Sequence, residues 1–188
     1  MKNFQAKMFN RKASNPKNKP DQILEAIALR PGQSIADIGA GGGYFSLRFA
    51  EVVGEKGKVY ALDKNPEFLE FIKKSAKEKK LTSIIATLTA EERVDLPEKS
   101  VDFIFMRNVT HHISNRVNYF EGLKRFLKPD GRVIILEYNR GRSFSFRGIF
   151  GHYVSKETIV GEMEEAGYLL EKEFDFLPEQ HFTMYSQP

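Results

Sequence analysis

The sequence predicts an α/β fold, an open and mostly parallel sheet with helices on both faces. Three observations carry that expectation. Short strand-like apolar runs alternate with longer stretches of helical periodicity along the 188 residues, and such alternation implies parallel strands joined by right-handed crossovers. A glycine run, Gly39-Ala40-Gly41-Gly42-Gly43, stands directly between the first strand pattern and a helix pattern. The segment Arg132 to Glu137 holds a continuous apolar run, as in a strand covered on both faces.

The elements follow in order. Pro20 and Asp21 open a short helix with Ile23, Leu24, Ile27 and Ala28 on one face, closed by Pro31-Gly32. Ser34 to Ile38 is a strand, and after the glycines Tyr44 to Val53 reads as a helix burying Phe45, Phe49, Val52 and Val53. Val59 to Leu62 is the second strand, ending at Asp63. Asn65 caps the next helix and Pro66 starts it. Ile84 to Leu88 and Val101 to Met106 are strands three and four, separated by the break at Leu96-Pro97. Asn115 to Leu127 is a helix, Pro129-Asp130-Gly131 a turn, and Arg132 to Glu137 strand five. Ser155 caps a helix over Lys156 to Ala166, and Tyr168 to Phe176 and Phe182 to Tyr185 close the chain as strands.

Composition fits one ordinary globular domain: 41% hydrophobic, 29% charged, sixteen Phe and no Trp. The absence of cysteine removes disulfides, thiolate metal sites and thiol nucleophiles together. No apolar run approaches the roughly 18 residues of a membrane span, and the N-terminus lacks the apolar core of a signal peptide. A cytoplasmic protein is the expectation. Net charge is +4, but residues 1–20 hold six cations and no acid, so residues 21–188 carry −2. The expected organisation is a basic arm, 1–20, irregular at least in part, and a single domain, 21–188. With the basic character confined to the arm, a nucleic-acid partner is disfavoured. Nothing fixes an oligomeric state.

The strongest chemical signal is Asp37-Ile38-Gly39-Ala40-Gly41-Gly42-Gly43. Glycines give a tight turn and let backbone N–H groups approach a ligand. A dinucleotide site prefers G-x-G-x-x-G and needs Gly where this chain has Tyr44, so a nicotinamide dehydrogenase is the weakest reading. Asp63, at the end of strand two, can accept hydrogen bonds from both hydroxyls of a ribose. Adjacent His111 and His112 lack metal-ligand spacing, and no metal is expected. No G-x-S-x-G, Walker or H-E-x-x-H pattern is present.

The D-x-G-x-G-x-G run resembles motif I of the class I S-adenosylmethionine-dependent methyltransferases. Further segments stand in that family's order: VYALD at 59–63, LPEKSVDFIF at 96–105, VTHHI at 109–113 and LKRFLKPDGRVIILE at 123–137. The resemblance covers roughly 21–185 and is nearest the type 11 group with the ubiquinone/menaquinone methyltransferases. It implies a Rossmann-like seven-stranded sheet with an antiparallel last strand, S-adenosylmethionine as cofactor, and in-line methyl transfer to an O, N or C acceptor. It places the cofactor on Asp37, Gly39, Ala40, Gly41, Gly43, Asp63 and Lys64. Arg107 follows strand four beneath the methionyl part. The family's Gly-Asp pair after strand three is absent, and Ala90 and Glu91 stand in its place.

The acceptor is expected to be a small or medium-sized molecule with anionic or aromatic character. The segment 139–154 interleaves Arg140, Arg142 and Arg147 with Phe144, Phe146, Phe150 and Tyr153, and with the basic arm it is expected to close the substrate pocket. His111 and His152 are the candidate bases. Two rival readings stay open: an RNA or protein methyltransferase of the same fold, although no N-P-P-Y-type motif follows strand four, and a non-catalytic S-adenosylmethionine-binding protein.

Overall fold

The computed structural model describes residues 3–90, 93–139 and 153–188. Seven strands form a mixed, mostly parallel sheet, and the chain divides into two compact units, Met1–Ala90 and Glu91–Pro188.

The first unit begins with helix α1, Phe4–Ala13, then a 3-10 turn at Pro16–Asn18 and helix α2, Pro20–Ile27. Strand β1, Ser34–Ile38, is buried along its whole length. Helix α3 spans Tyr44–Val53, strand β2 Lys58–Asp63, helix α4 Pro66–Glu78 and strand β3 Ile84–Leu88. β1 and β3 both run parallel to β2, which lies between them. Asn65 caps α4 as its sequence position predicts, its side chain accepting from the Glu67 N–H at 2.9 Å. α4 packs its apolar stripe on the sheet through Leu69 and Ile72, which cluster with Ala61 of β2.

In the second unit, β4 is Val101–Arg107, α5 Arg116–Leu123, β5 Leu127–Tyr138, α6 Lys156–Glu165, β6 Leu169–Phe174 and β7 Gln180–Ser186. β4 and β5 are parallel. β7 is antiparallel to both β5 and β6, so the reversal expected at the end of the chain is present. Val133 to Leu136 are fully buried, as a strand covered on both faces requires. The register passes from Val101 opposite Leu127 to Phe103 opposite Arg132; the intervening Pro129 and Asp130 stay exposed. The predicted turn is thus an excursion within a longer strand.

The arm is helical over half its length: ten of its residues form α1, and a 3-10 turn follows. Ala6 and Ala13 are buried at its inner face, while Phe4, Lys7, Met8, Arg11 and Lys12 are exposed. Helical periodicity was hidden because the inner face consists of two alanines and an asparagine rather than large apolar side chains.

Candidate functional site

Gly39, Gly41 and Gly43 have φ of 72°, 55° and 78°, a region that costs a side-chain-bearing residue about 1–2 kcal/mol. Gly43 is doubly constrained, since a Cβ there would overlap Ile72, at the core of α4. The loop's backbone donors are engaged within the protein. Gly39 N–H and Ala40 N–H both donate to the Leu62 carbonyl, at 2.8 and 3.0 Å, and Gly43 N–H donates to the Ala40 carbonyl at 2.8 Å. Gly41 N–H donates to Asp63 Oδ2 at 2.8 Å. The expectation that these N–H groups reach a ligand is therefore corrected for four of them. A loop so tied gives shape rather than an anion cradle, which suits a nucleoside without phosphates better than a dinucleotide.

α1 lies directly on this loop. A Cβ on Gly42 would overlap the Ala6 carbonyl oxygen and the Asn10 side chain. Asn10 Nδ2 donates to the Gly42 carbonyl at 2.8 Å, and Asn10 Oδ1 accepts from Tyr44 N–H at 3.1 Å. Tyr44 opens α3, whose N-cap position is Gly43 and provides no side chain. Asn10 therefore caps α3 from a different helix. Phe9 packs edge-on against Phe68 at 5.6 Å. Asn10→Ala is expected to cost about 0.5–2 kcal/mol, the range for losing a cap, and to speed proteolytic cleavage within residues 1–19. Unchanged cleavage would show that α1 is held by other contacts.

Asp63 ends β2 with its side chain buried, only 9% exposed. Its Oδ2 takes the Gly41 N–H, and its Oδ1 takes the Asn65 N–H at 2.9 Å. A carboxylate offers about four acceptor positions. Two are filled, and they fix the carboxylate's orientation. β3 runs beside it with Leu88 in register, 59% exposed, and Thr89 N–H donates to the Asp63 carbonyl at 3.1 Å. Asp37 is buried and accepts from Ser46 Oγ at 2.5 Å. It ties the end of β1 to α3 across the loop.

A second cluster stands in the second unit. Asn108, at φ 56°, turns the chain sharply after β4 into a 3-10 turn, Thr110–His112. Asn is among the few side chains that tolerate this region. Its Oδ1 accepts from Gln180 Nε2 at 2.7 Å. Glu137, the penultimate residue of β5, is 0% exposed. Its Oε2 accepts from Thr110 Oγ1 at 2.6 Å. Its Oε1 accepts from Tyr138 N–H at 2.9 Å and stands 3.0 Å from His111 Nδ1. Burial pushes the Glu137 carboxyl up, but His111, Thr110 and the Tyr138 N–H outweigh it and hold it below the ordinary range. Against an ionised carboxylate Nδ1 is the protonated nitrogen. The His112 ring lies against His111 with centroids 4.1 Å apart and the planes inclined at 50°.

The sequence-predicted residues thus sort by place. Asp37, Gly39, Ala40, Gly41, Gly43 and Asp63 converge on one loop. Lys64 and Ala90, both exposed, follow the ends of β2 and β3, and Arg107, half-buried, ends β4. Glu91 and His152 lie outside the described residues, as does most of 139–154. Among the described residues no cluster of His, Asp and Glu could hold a metal, and no helix is long and apolar enough to cross a membrane. Sequence reasoning missed Asn10 and Glu137. Glu137 had a signal, an acid directly after the apolar run 133–136. Asn10 had only an indirect one, a helix start whose own cap position is glycine.

Comparison with known proteins agrees with this geometry. A family model described as a methyltransferase domain matches residues 29–174. The ubiquinone/menaquinone biosynthesis C-methyltransferase UbiE of Shewanella sp. (strain W3-18-1) is 24% identical over 155 residues, covering 79% of this chain. The chain spans 62% of that relative's length. An S-adenosylmethionine-dependent methyltransferase from Aquifex aeolicus superposes with a TM-score of 0.86 at 24% identity, covering 96% of this chain and 95% of the other. The cyclase SpnF superposes with a TM-score of 0.76 at 14% identity, covering 92% of this chain and 80% of the other. At these identities the solved structures establish the fold.

Proposed function

The chain belongs to the methyltransferase-domain family, and from that premise we propose that it methylates a small or medium-sized acceptor, with His111 taking the acceptor's proton. It is an S-adenosylmethionine-dependent methyltransferase of the class I fold. The observation that carries the finer reading is the buried Glu137 carboxylate on His111 Nδ1.

The cofactor, when bound, supplies a methyl group made electrophilic by its sulfonium. The glycine loop and Asp63 fit its nucleoside end: a tied, phosphate-free turn, and a carboxylate with two acceptor positions left for the ribose. Lys64, Ala90 and Arg107 are proposed to complete the contacts. Residues that hold the acceptor against that methyl group would supply most of the rate, because holding reactants in position is worth several kcal/mol, up to roughly 11.

His111 follows β4 and Glu137 closes β5, both at the carboxyl ends of parallel strands, where α/β sheets place their ligands. With Nδ1 bonded to Glu137, Nε2 accepts a proton as the acceptor attacks, and the carboxylate stabilises the imidazolium that forms. His111 Nε2 would hold the proton that the acceptor gives up as it takes the methyl group. An acceptor with an ionisable hydroxyl suits such a base, and the relatives' C-methyltransferase name keeps carbon among the acceptor atoms to be tested.

The test is transfer of labelled methyl to separated metabolite, RNA and protein fractions. Label in the metabolite fraction is expected, and it should fall when His111→Gln protein is used. Label confined to RNA or protein would replace this reading with the macromolecular one. Cofactor binding without transfer to any fraction would favour a binding protein.

A further inference from the structure

We infer that the outer face of α1 is a docking surface for an anionic lipid bilayer. Six large apolar side chains are exposed among the described residues, and three of them, Phe4, Met8 and Phe9, belong to this one helix. Phe4 is 73% exposed and Met8 43%. Placed at about 100° per residue, Phe4, Met8 and Arg11 share an arc of about 60°, with Lys7 on one flank and Lys12 on the other. The buried Ala6, Asn10 and Ala13 occupy the opposite side.

The orientation is fixed, because Asn10 bonds the inner face to the glycine loop and to the start of α3. The apolar face is therefore held outward in the folded protein and is not the side of a frayed end. Lys17 and Lys19 follow, and residues 1–20 contain no acid that would repel a negative surface.

This arrangement, apolar centre and cationic flanks, matches a helix lying in the headgroup plane. The apolar side chains enter the acyl boundary while the long cationic stems reach back to phosphate. A nucleic acid shares the charge preference but gives Phe4 and Met8 no apolar phase, and the −2 balance of residues 21–188 opposes a long polyanion. With two large apolar side chains at its centre, the face suits reversible, salt-sensitive attachment. The inference concerns where the protein resides and holds whatever its acceptor is.

The chain contains no Trp, so Phe4→Trp creates a single fluorescent reporter on the face. Vesicles of phosphatidylcholine with about a third phosphatidylglycerol are expected to shift its emission to the blue and to carry the protein upward in flotation. Pure phosphatidylcholine vesicles, or about 0.5 M salt, are expected to abolish both effects. Phe4→Ser/Met8→Ser, and separately Lys7→Gln/Arg11→Gln/Lys12→Gln, should each weaken flotation at least about tenfold with the melting temperature unchanged, since all five side chains are exposed. Equal attachment to neutral and anionic vesicles would overturn the inference, as would attachment indifferent to Phe4→Ser/Met8→Ser. Retention on polyuridylate with none on vesicles would make the face an RNA surface instead.

Discussion

Replacing Asp63 by Ala is expected to weaken binding of S-adenosylhomocysteine by about 3 kcal/mol, roughly a hundredfold. Hydrogen bonds to a charged acceptor are worth about 1.5–3 kcal/mol each, and the reading assigns two ribose hydroxyls to this carboxylate. The structure adds a second loss. Asp63 Oδ2 holds the Gly41 N–H and Oδ1 the Asn65 N–H, so without the carboxylate the loop loses one of its ties to β2 and keeps the two at the Leu62 carbonyl. Stability should fall as well, by about 1 kcal/mol, and calorimetry must therefore be paired with thermal unfolding. Asp63→Asn is the sharper variant. It preserves shape, but its amide nitrogen faces one of two backbone donors, so it should rescue little of the affinity. A carboxamide that binds the cofactor like wild type, in a protein of unchanged stability, would remove Asp63 from the site.

The legibility of this chain follows which interactions are local. Asn65 and Ser155 were readable as caps because each bonds its own helix, Ser155 Oγ accepting from Thr158 N–H at 3.1 Å. The glycine loop was readable because Gly39, Gly41 and Gly43 adopt left-handed conformations that only glycine takes freely. What the loop does with its donors was not. The Leu62 carbonyl that takes two of them, and the Asp63 oxygen that takes a third, are set by strand pairing. α1 was illegible for a related reason. Its inner face is small and polar so that the Ala6 carbonyl can sit on Gly42, and a helix that packs backbone against backbone shows no apolar stripe. Glu137 was absorbed into a strand by its neighbours' hydrophobicity, because its partners Thr110 and His111 lie 27 and 26 residues away.

The fold does not by itself decide the reaction: the cyclase SpnF shares it at a TM-score of 0.76. Residues beyond the cofactor loop must carry that decision. Glu137 is the side chain whose placement is hardest to explain by packing alone, since an ionised carboxylate at 0% exposure is costly unless its bonds are complete.

Glu137→Gln is therefore expected to lower methyl transfer by about a hundredfold, the lower end of what a positioned acid–base pair contributes, while leaving S-adenosylhomocysteine affinity within a few-fold. The substitution isolates charge from shape. Gln can still offer its carbonyl oxygen to His111 Nδ1 and the Tyr138 N–H and can donate its amide to Thr110 Oγ1, so the cluster loses only the long His111 N–H contact at 3.4 Å. What disappears is the negative charge that stabilises a protonated His111. His111→Gln should cost a similar factor, and the double variant little more, because residues acting as one unit are not additive. A second readout checks the electrostatics independently of any acceptor. The native carboxyl titrates below its ordinary value of 4.5, so the folded state favours the ionised form. That contribution to stability is complete above the ordinary value and is lost as pH falls through the lower native one. The carboxyl's part of the stability gap between wild type and Glu137→Gln, from urea unfolding, should thus shrink as pH falls below about 5. A gap that does not change with pH would mean the charge adds nothing to stability, and undiminished methyl transfer by Glu137→Gln would take His111 and its carboxylate out of the chemistry.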